Sequence, residues 1–115
     1  MLKRQGKLTT DIKEIKDCNE TGNAVYHMFR HYRGGSMNEG FEMHDSCAIA
    51  YIAKPELFTT QKTRVEVELK GTHTYGCTVV DLKNRLNLPD NAEVCTDIDE
   101  REFSKWLTGA LKKSI

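Results

Sequence analysis

The chain has 115 residues, enough for one domain or part of one, and its 17 basic residues balance 17 acidic ones. With no net charge, no overall field attracts nucleic acid or an anionic membrane, and no apolar run approaches the ~18 residues of a membrane span. No signal-peptide pattern opens the chain, and its four cysteines form no C-x-x-C pair, which favours a reducing, cytoplasmic setting.

A short first helix is predicted in TTDIKEIKDC, residues 9–18. Thr9 or Thr10 is suited to its start, and Ile12 and Ile15 fall on one face.

A second helix is predicted through NAVYHMFRHYR, residues 23–33, and residues 33–43, rich in Gly, Ser and Asn, are predicted to form a loop. The helix prediction rests on apolar residues spaced at i, i+3, i+4 and i+7, which gathers them on one stripe. They are Val25, Met28, Phe29 and Tyr32.

A third helix should follow the loop, with Asp45 as its cap and Pro55 as its stop. Its segment CAIAYIA, residues 47–53, is apolar all round, which predicts burial on every side. The rest of the chain offers too little apolar surface to cover such a helix, so we interpret the sequence as part of a larger protein.

The second half is predicted to be strands followed by a helix, so the elements are mixed α and β. TRVEVELK alternates strictly and CTVVD returns after a turn, which makes residues 62–81 an antiparallel hairpin. AEVCTDI is a further strand, and Asp99 with Glu102 forms a capping pair for a last helix. That helix carries apolar residues at helical spacing: Phe103, Trp106, Leu107, Ala110 and Leu111.

His44 and Asp45, at the mouth of the third helix, are the first candidates for chemistry. The structural interpretation makes Asp45 a helix cap and His44 a loop residue bonded to a neighbour. The functional interpretation has Asp45 supply oxygen to a hard cation while His44 donates a proton nearby, since the reference pKa of histidine, ~6.5, lies close to working pH.

Two other clusters are weaker candidates. His27 and His31 stand four residues apart, as two metal ligands on one helix face would, but no third ligand is evident. CTDIDE, residues 95–100, holds three carboxylates, yet these lie where a helix begins and complete no calcium-loop pattern. Neither cluster is predicted to bind a metal.

The order of MHDSCAIAYIAKPELFTT, RVEVELKGTHTYGCTVVD and NAEVCTDIDEREFSKWL resembles the C-terminal part of the inosine–uridine-preferring nucleoside hydrolases. The resemblance covers nearly the whole chain and is strongest over residues 43–81. It implies an α/β fold of which residues 1–115 form a single C-terminal segment, with helices, a short antiparallel ribbon and an incomplete parallel sheet.

The resemblance also implies a function: calcium-dependent cleavage of the N-glycosidic bond of ribonucleosides to base and ribose. Asp45 matches the family's C-terminal calcium ligand, and His44 matches a histidine placed near the departing base. Tyr32 lies where some members carry an aromatic side chain that closes over the base, although a tyrosine at the edge of the core is an equal alternative.

The chain departs from the family pattern in one large respect. The D-x-D-x-x-x-D-D cluster, which gives that family most of its calcium ligands, does not occur in this sequence. We therefore expect no hydrolase activity, and weak or no calcium binding, unless an N-terminal part completes the site. The alternative is a non-enzymatic interaction module derived from the fold. Self-association through uncovered apolar surface is expected, and base preference is left open.

Overall fold

The computed structural model describes residues 7–8, 12–32, 35–36 and 40–114. Contacts divide the chain into two compact units: Met1–Phe58 with Asp97–Ile115, and Thr59–Thr96. Within the described ranges, no helix is long and apolar enough to cross a bilayer. The elements in chain order are β1 (Lys7–Leu8), α1 (Ile12–Lys16), α2 (Glu20–Phe29), β2 (Gly35–Ser36), β3 (Gly40–Glu42), α3 (His44–Ala53), a 3₁₀ turn (Pro55–Leu57), β4 (Phe58–Thr63), β5 (Val65–Val67), β6 (Thr78–Val80), β7 (Ala92–Ile98) and α4 (Glu100–Lys113).

The first unit packs its helices around two small apolar clusters. One joins α1, α2 and β3 through four buried side chains, and Ile12 and Ile15 of α1 are 3% and 0% exposed, as their spacing predicts. The other centres on Phe103 of α4, which is fully buried against Ala50 and Ile98. The predicted apolar face of α4 is therefore confirmed, with Trp106 and Leu107 packed against the same cluster.

Asn19 ties the start of α2 to the end of α4. Its Oδ1 accepts the N–H of Gly22 at 2.7 Å, which caps α2, while its Nδ2 donates to the carbonyls of Leu111 at 2.8 Å and Ser114 at 2.7 Å. One side chain thus satisfies groups at two helix ends, which otherwise lack intrahelical partners.

Replacing Asn19 by alanine should destabilise the chain by about 2 kcal/mol, since it removes a cap and leaves part-buried carbonyls without their donor. Asn19→Ser keeps a short acceptor for the Gly22 N–H but cannot reach Leu111. The free energy of unfolding of the serine variant, measured with urea, should therefore be about 1 kcal/mol higher than that of the alanine variant. Equal losses in the two variants would show that the cap on the Gly22 N–H contributes nothing.

The second unit is built from two strand pairs. β5 and β6 form the predicted antiparallel hairpin, in which Val65 lies opposite Val80 and Val67 opposite Thr78. β4 pairs with β7. The N–H of Asn91 donates to Thr63 and the Thr96 hydroxyl donates to the carbonyl of Thr59, so the end of one strand meets the start of the other.

The carboxylate of Asp81 organises the turn after β6. It accepts the backbone N–H groups of Leu86 at 2.7 Å and Arg85 at 2.8 Å. These two bonds, chiefly the one from Leu86, hold the pKa of Asp81 below its ordinary 3.8. The charged form is thus favoured in the folded chain.

The Asp81 turn should make stability depend on pH. The pKa of Asp81 is lower in the folded chain than in the unfolded chain. Its carboxylate therefore contributes its full stabilisation above the unfolded pKa, and this stabilisation disappears as the pH falls through the folded pKa. Asp81→Asn should unfold at lower urea than the parent near neutral pH, and the gap should close in acid. Urea midpoints at a series of pH values test this, and a gap that widens in acid would contradict it.

Two predictions about the stretch before α3 are wrong in part. α2 begins at Glu20 and ends at Phe29, so Tyr32 lies beyond it, and Met28, one of the residues of the predicted apolar stripe, is 70% exposed. Residues 33–43 are not all loop, because β3 lies between β1 and β2 in a three-stranded antiparallel sheet. Phe41 of β3 is only 2% exposed.

The third helix also differs from its prediction. The first helical bond runs from the N–H of Cys47 to the carbonyl of Met43, so Met43 holds the cap position and Asp45 lies inside the first turn. Burial on every side is wrong as well: Ile49 is 60% exposed and Ile52 80%. The helix does end before Pro55, as predicted.

The strand prediction over residues 63–70 is correct in place but not in length or burial. β5 covers only Val65–Val67, and beyond it the Glu68 carboxylate accepts the N–H groups of Lys70 and Gly71. The apolar side of the TRVEVELK alternation is largely open to solvent, since Val67 is 51% and Leu69 66% exposed.

Candidate active site

A cavity of about 620 Å³ lies in the first unit, between the end of α2, β3 and the start of α3. All three site residues predicted from the sequence contribute to its wall. Its lining residues are Met28, Phe29, His31, Tyr32, Glu42, Met43, His44, Asp45 and Ser46.

Tyr32 is held against the cavity by the strand opposite it. Its hydroxyl donates to the backbone carbonyl of Glu42 at 2.9 Å. Its ring lies beside Phe41 and Phe29, with ring centroids 6.1 Å and 6.5 Å away, while those two phenylalanines stack on each other at 4.7 Å. Because Phe41 and Phe29 are core residues, the aromatic cluster connects the position of Tyr32 to the core.

His44 opens α3 with its imidazole largely accessible to solvent. The side chain is 63% exposed, and its Nε2 lies 3.5 Å from the carboxylate of Glu42. Such an exposed pair is weak, because water screens it. The imidazole is therefore only weakly constrained by Glu42 and is accessible to a molecule in the cavity.

Asp45 follows in the first turn of α3 and is exposed. The unpaired N–H groups and dipole of a helix start favour a carboxylate at this position without any ligand. As a metal ligand it stands alone: within residues 12–32 and 40–114, no group of three His, Cys, Asp or Glu side chains could hold a metal ion. Since Ca²⁺ takes 6–8 oxygens, the described residues do not by themselves fit a calcium site.

The cavity wall also contains residues that the sequence interpretation did not select. Glu42 is the most informative, since its carbonyl holds Tyr32 and its carboxylate faces His44. The signal was local: in GFE, Phe41 points inward and Glu42 outward, the alternation of a strand. Three residues in a glycine-rich segment are too few for that period to stand out.

The histidine pair and the CTDIDE segment occupy the ends of helices. His31 lies beyond the end of α2, in a turn that its N–H closes on the carbonyl of Met28 at 3.1 Å. In CTDIDE, the Asp99 carboxylate accepts the N–H of Glu102 at 3.1 Å, which confirms its predicted role as the cap of α4.

The fold is that of the nucleoside hydrolases. It matches the purine-preferring ribonucleoside hydrolase from Gardnerella vaginalis with a TM-score of 0.72 at 21% identity, over 94% of this chain and 36% of that one. An inosine-guanosine nucleoside hydrolase matches with a TM-score of 0.71, over 90% of this chain and 34% of that one, also at 21% identity.

The sequence places the chain within one family of that fold. The family model for inosine-uridine preferring nucleoside hydrolases matches residues 3–105, and the chain belongs to this family as a C-terminal segment. It is 53% identical over 95 residues to the non-specific ribonucleoside hydrolase RihC of Klebsiella pneumoniae subsp. pneumoniae, covering 83% of this chain and 31% of that protein. RihC of Salmonella paratyphi B is 44% identical over 104 residues, which cover 90% of this chain and 34% of that protein. The chain spans about a third of the length of these relatives.

Proposed function

We propose that this chain supplies the C-terminal part of the active site of a calcium-dependent ribonucleoside hydrolase. The observation that carries the proposal is that Tyr32, His44 and Asp45 line one cavity. Its volume, about 620 Å³, lies within the range of small-molecule sites. The substrate class follows from the Klebsiella and Salmonella relatives, both described as non-specific ribonucleoside hydrolases.

In this proposal His44 protonates the departing base. Hydrolysis breaks the bond between ribose C1′ and a base nitrogen, the bonding electrons leave with the base, and the oxygen of water bonds to C1′ and releases one proton to solvent. The base nitrogen then needs a proton, which an accessible imidazolium beside the cavity can donate. Tyr32, fixed by its bond to the Glu42 carbonyl, offers a ring against which the flat base can lie.

Asp45 would provide one carboxylate ligand for a calcium ion, and that ion would supply positive charge that lowers the pKa of bound water and orients the substrate. The remaining oxygens would have to come from the part of the hydrolase domain that these 115 residues do not include. Residues 1–115 therefore act, in this proposal, as one segment of a larger domain and are inactive alone. All four cysteines are free thiols, which agrees with a protein that functions in the reducing cytoplasm.

The test is ribose release from inosine and uridine, with added calcium or with a chelator. The chain alone is compared with the chain co-expressed with the first two thirds of the Klebsiella RihC relative. We expect no turnover from the chain alone and calcium-dependent turnover from the pair. Calcium-dependent turnover by the chain alone, lost in His44→Ala, would refute the need for a second part. A folded pair without turnover would refute the hydrolase proposal and favour an interaction module.

Asp45→Asn should raise the calcium concentration that half-saturates turnover of the pair by at least ~10-fold, because an amide replaces one charged oxygen ligand. Asp90→Asn, an exposed change in the second unit, is the matched control and should leave the calcium requirement unchanged. An unaltered requirement in Asp45→Asn would exclude Asp45 from the metal site.

A further inference from the structure

One face of α3 carries apolar side chains that nothing in the described chain covers. Ala48, Ile49 and Ile52 follow Asp45 at i+3, i+4 and i+7, so all four lie on the same helical face. All four are exposed, Ile49 by 60% and Ile52 by 80%. We call residues 48, 49 and 52 the α3 stripe.

The opposite side of α3 is already anchored within the first unit. Ala50 is fully buried in the second apolar cluster, and Cys47 packs against the same cluster. The ring of Tyr51 meets that of Phe58 edge-on at 5.5 Å. The stripe is therefore not needed to hold the helix in place. Two adjoining isoleucines left in water at helical spacing are typical of a contact surface.

We propose that the α3 stripe is the surface on which the remaining two thirds of the nucleoside hydrolase domain packs, an inference that rests on the function proposed above. The RihC relatives contain about three times the length matched here, and the Gardnerella enzyme with the same fold is also nearly three times as long. A partner with an apolar surface would cover Ile49 and Ile52. Because Asp45 heads the same face, that contact would also bring the partner's oxygen ligands beside it.

Co-expression tests the proposal directly. A tagged 115-residue chain and an untagged first two thirds of Klebsiella RihC are produced together, and the untagged polypeptide recovered with the tag is measured. Ile52→Glu and Ile49→Glu place a charge in the contact, where burial without a partner is costly. Leu69→Glu is the matched control, since Leu69 is 66% exposed but belongs to the second unit.

We expect recovery with the parent chain and with Leu69→Glu, and at least ~10-fold less with Ile49→Glu or Ile52→Glu. The thermal midpoints of the two isoleucine variants alone should stay within about 3 °C of the parent, because both side chains are exposed. No recovery with the parent chain, or equal recovery with Ile52→Glu, overturns the proposal. A homodimer of the parent chain that excludes the partner and is lost in Ile52→Glu assigns the stripe to a second copy and also overturns it. Recovery without ribose release leaves the docking surface standing and refutes only the hydrolase function.

Discussion

Replacing Gly22 by alanine should destabilise the chain by about 3 kcal/mol, although alanine is the better helix former. Gly22 is buried in the first turn of α2, where a Cβ would lie 2.0 Å from the backbone oxygen of Ile15 and 2.7 Å from the sulfur of Cys18. A backbone carbonyl cannot rotate away as a side chain can. The two helices would have to separate, which would open the cluster around the fully buried Ile15.

Gly109→Ala is the matched control for Gly22→Ala. Gly109 lies within α4, and a Cβ built there meets nothing within 4 Å, so only the helix preference remains. This change should stabilise the chain by up to about 1 kcal/mol. Urea unfolding followed by circular dichroism measures both variants, and opposite signs are expected. If Gly22→Ala also stabilised the chain, the close approach of α1 to α2 would be refuted.

The largest effect on activity is expected from His44→Ala in the pair with the Klebsiella segment. Loss of a general acid lowers the rate by about 10²–10⁴-fold, and the fall should appear in kcat rather than in KM because the proton is needed only as the bond breaks. His73→Ala, in the exposed turn of the β5–β6 hairpin, serves as the control and should retain parent kinetics.

A substrate with a better leaving group separates a catalytic role of His44 from a structural one. A ribonucleoside analogue whose departing group is a stable anion, such as a nitrophenolate, needs no proton. His44→Ala should therefore hydrolyse that analogue at nearly the parent rate. An equal loss on both substrates would show that the substitution disturbs the cavity instead.

The sequence predicts those elements whose signals lie within a few residues of one another. α4 has its cap at Asp99 and its apolar period, beginning with Phe103, in a single segment, so both were evident. β3 was not predicted because one partner, Lys7–Leu8, lies more than thirty residues earlier, the other, Gly35–Ser36, has only two residues, and a three-residue strand shows no period of its own. Such distant pairing leaves no local pattern.

In the site, too, the residues with a local sequence signal were predictable. His44 and Asp45 are adjacent and opened a helix, which drew attention to them, and family resemblance added Tyr32. What the sequence did not reveal is the bond from Tyr32 to the Glu42 carbonyl, which brings the end of α2 to the start of α3. The lack of cover over the third helix was expected from the sequence, but the particular side chains left exposed, Ile49 and Ile52, were not, because composition does not show which face of a helix is covered.

The strand pair β4–β7 has a consequence for the engineering of this chain. The second unit begins at Thr59 and ends at Thr96, and the Thr96 hydroxyl donates to the Thr59 carbonyl at 3.2 Å. An insertion whose two ends meet at one hydrogen bond can lengthen, shorten or be exchanged for a tight turn without moving its attachment points. The second unit is therefore a place at which an engineered chain can carry a grafted peptide between the same two attachment points.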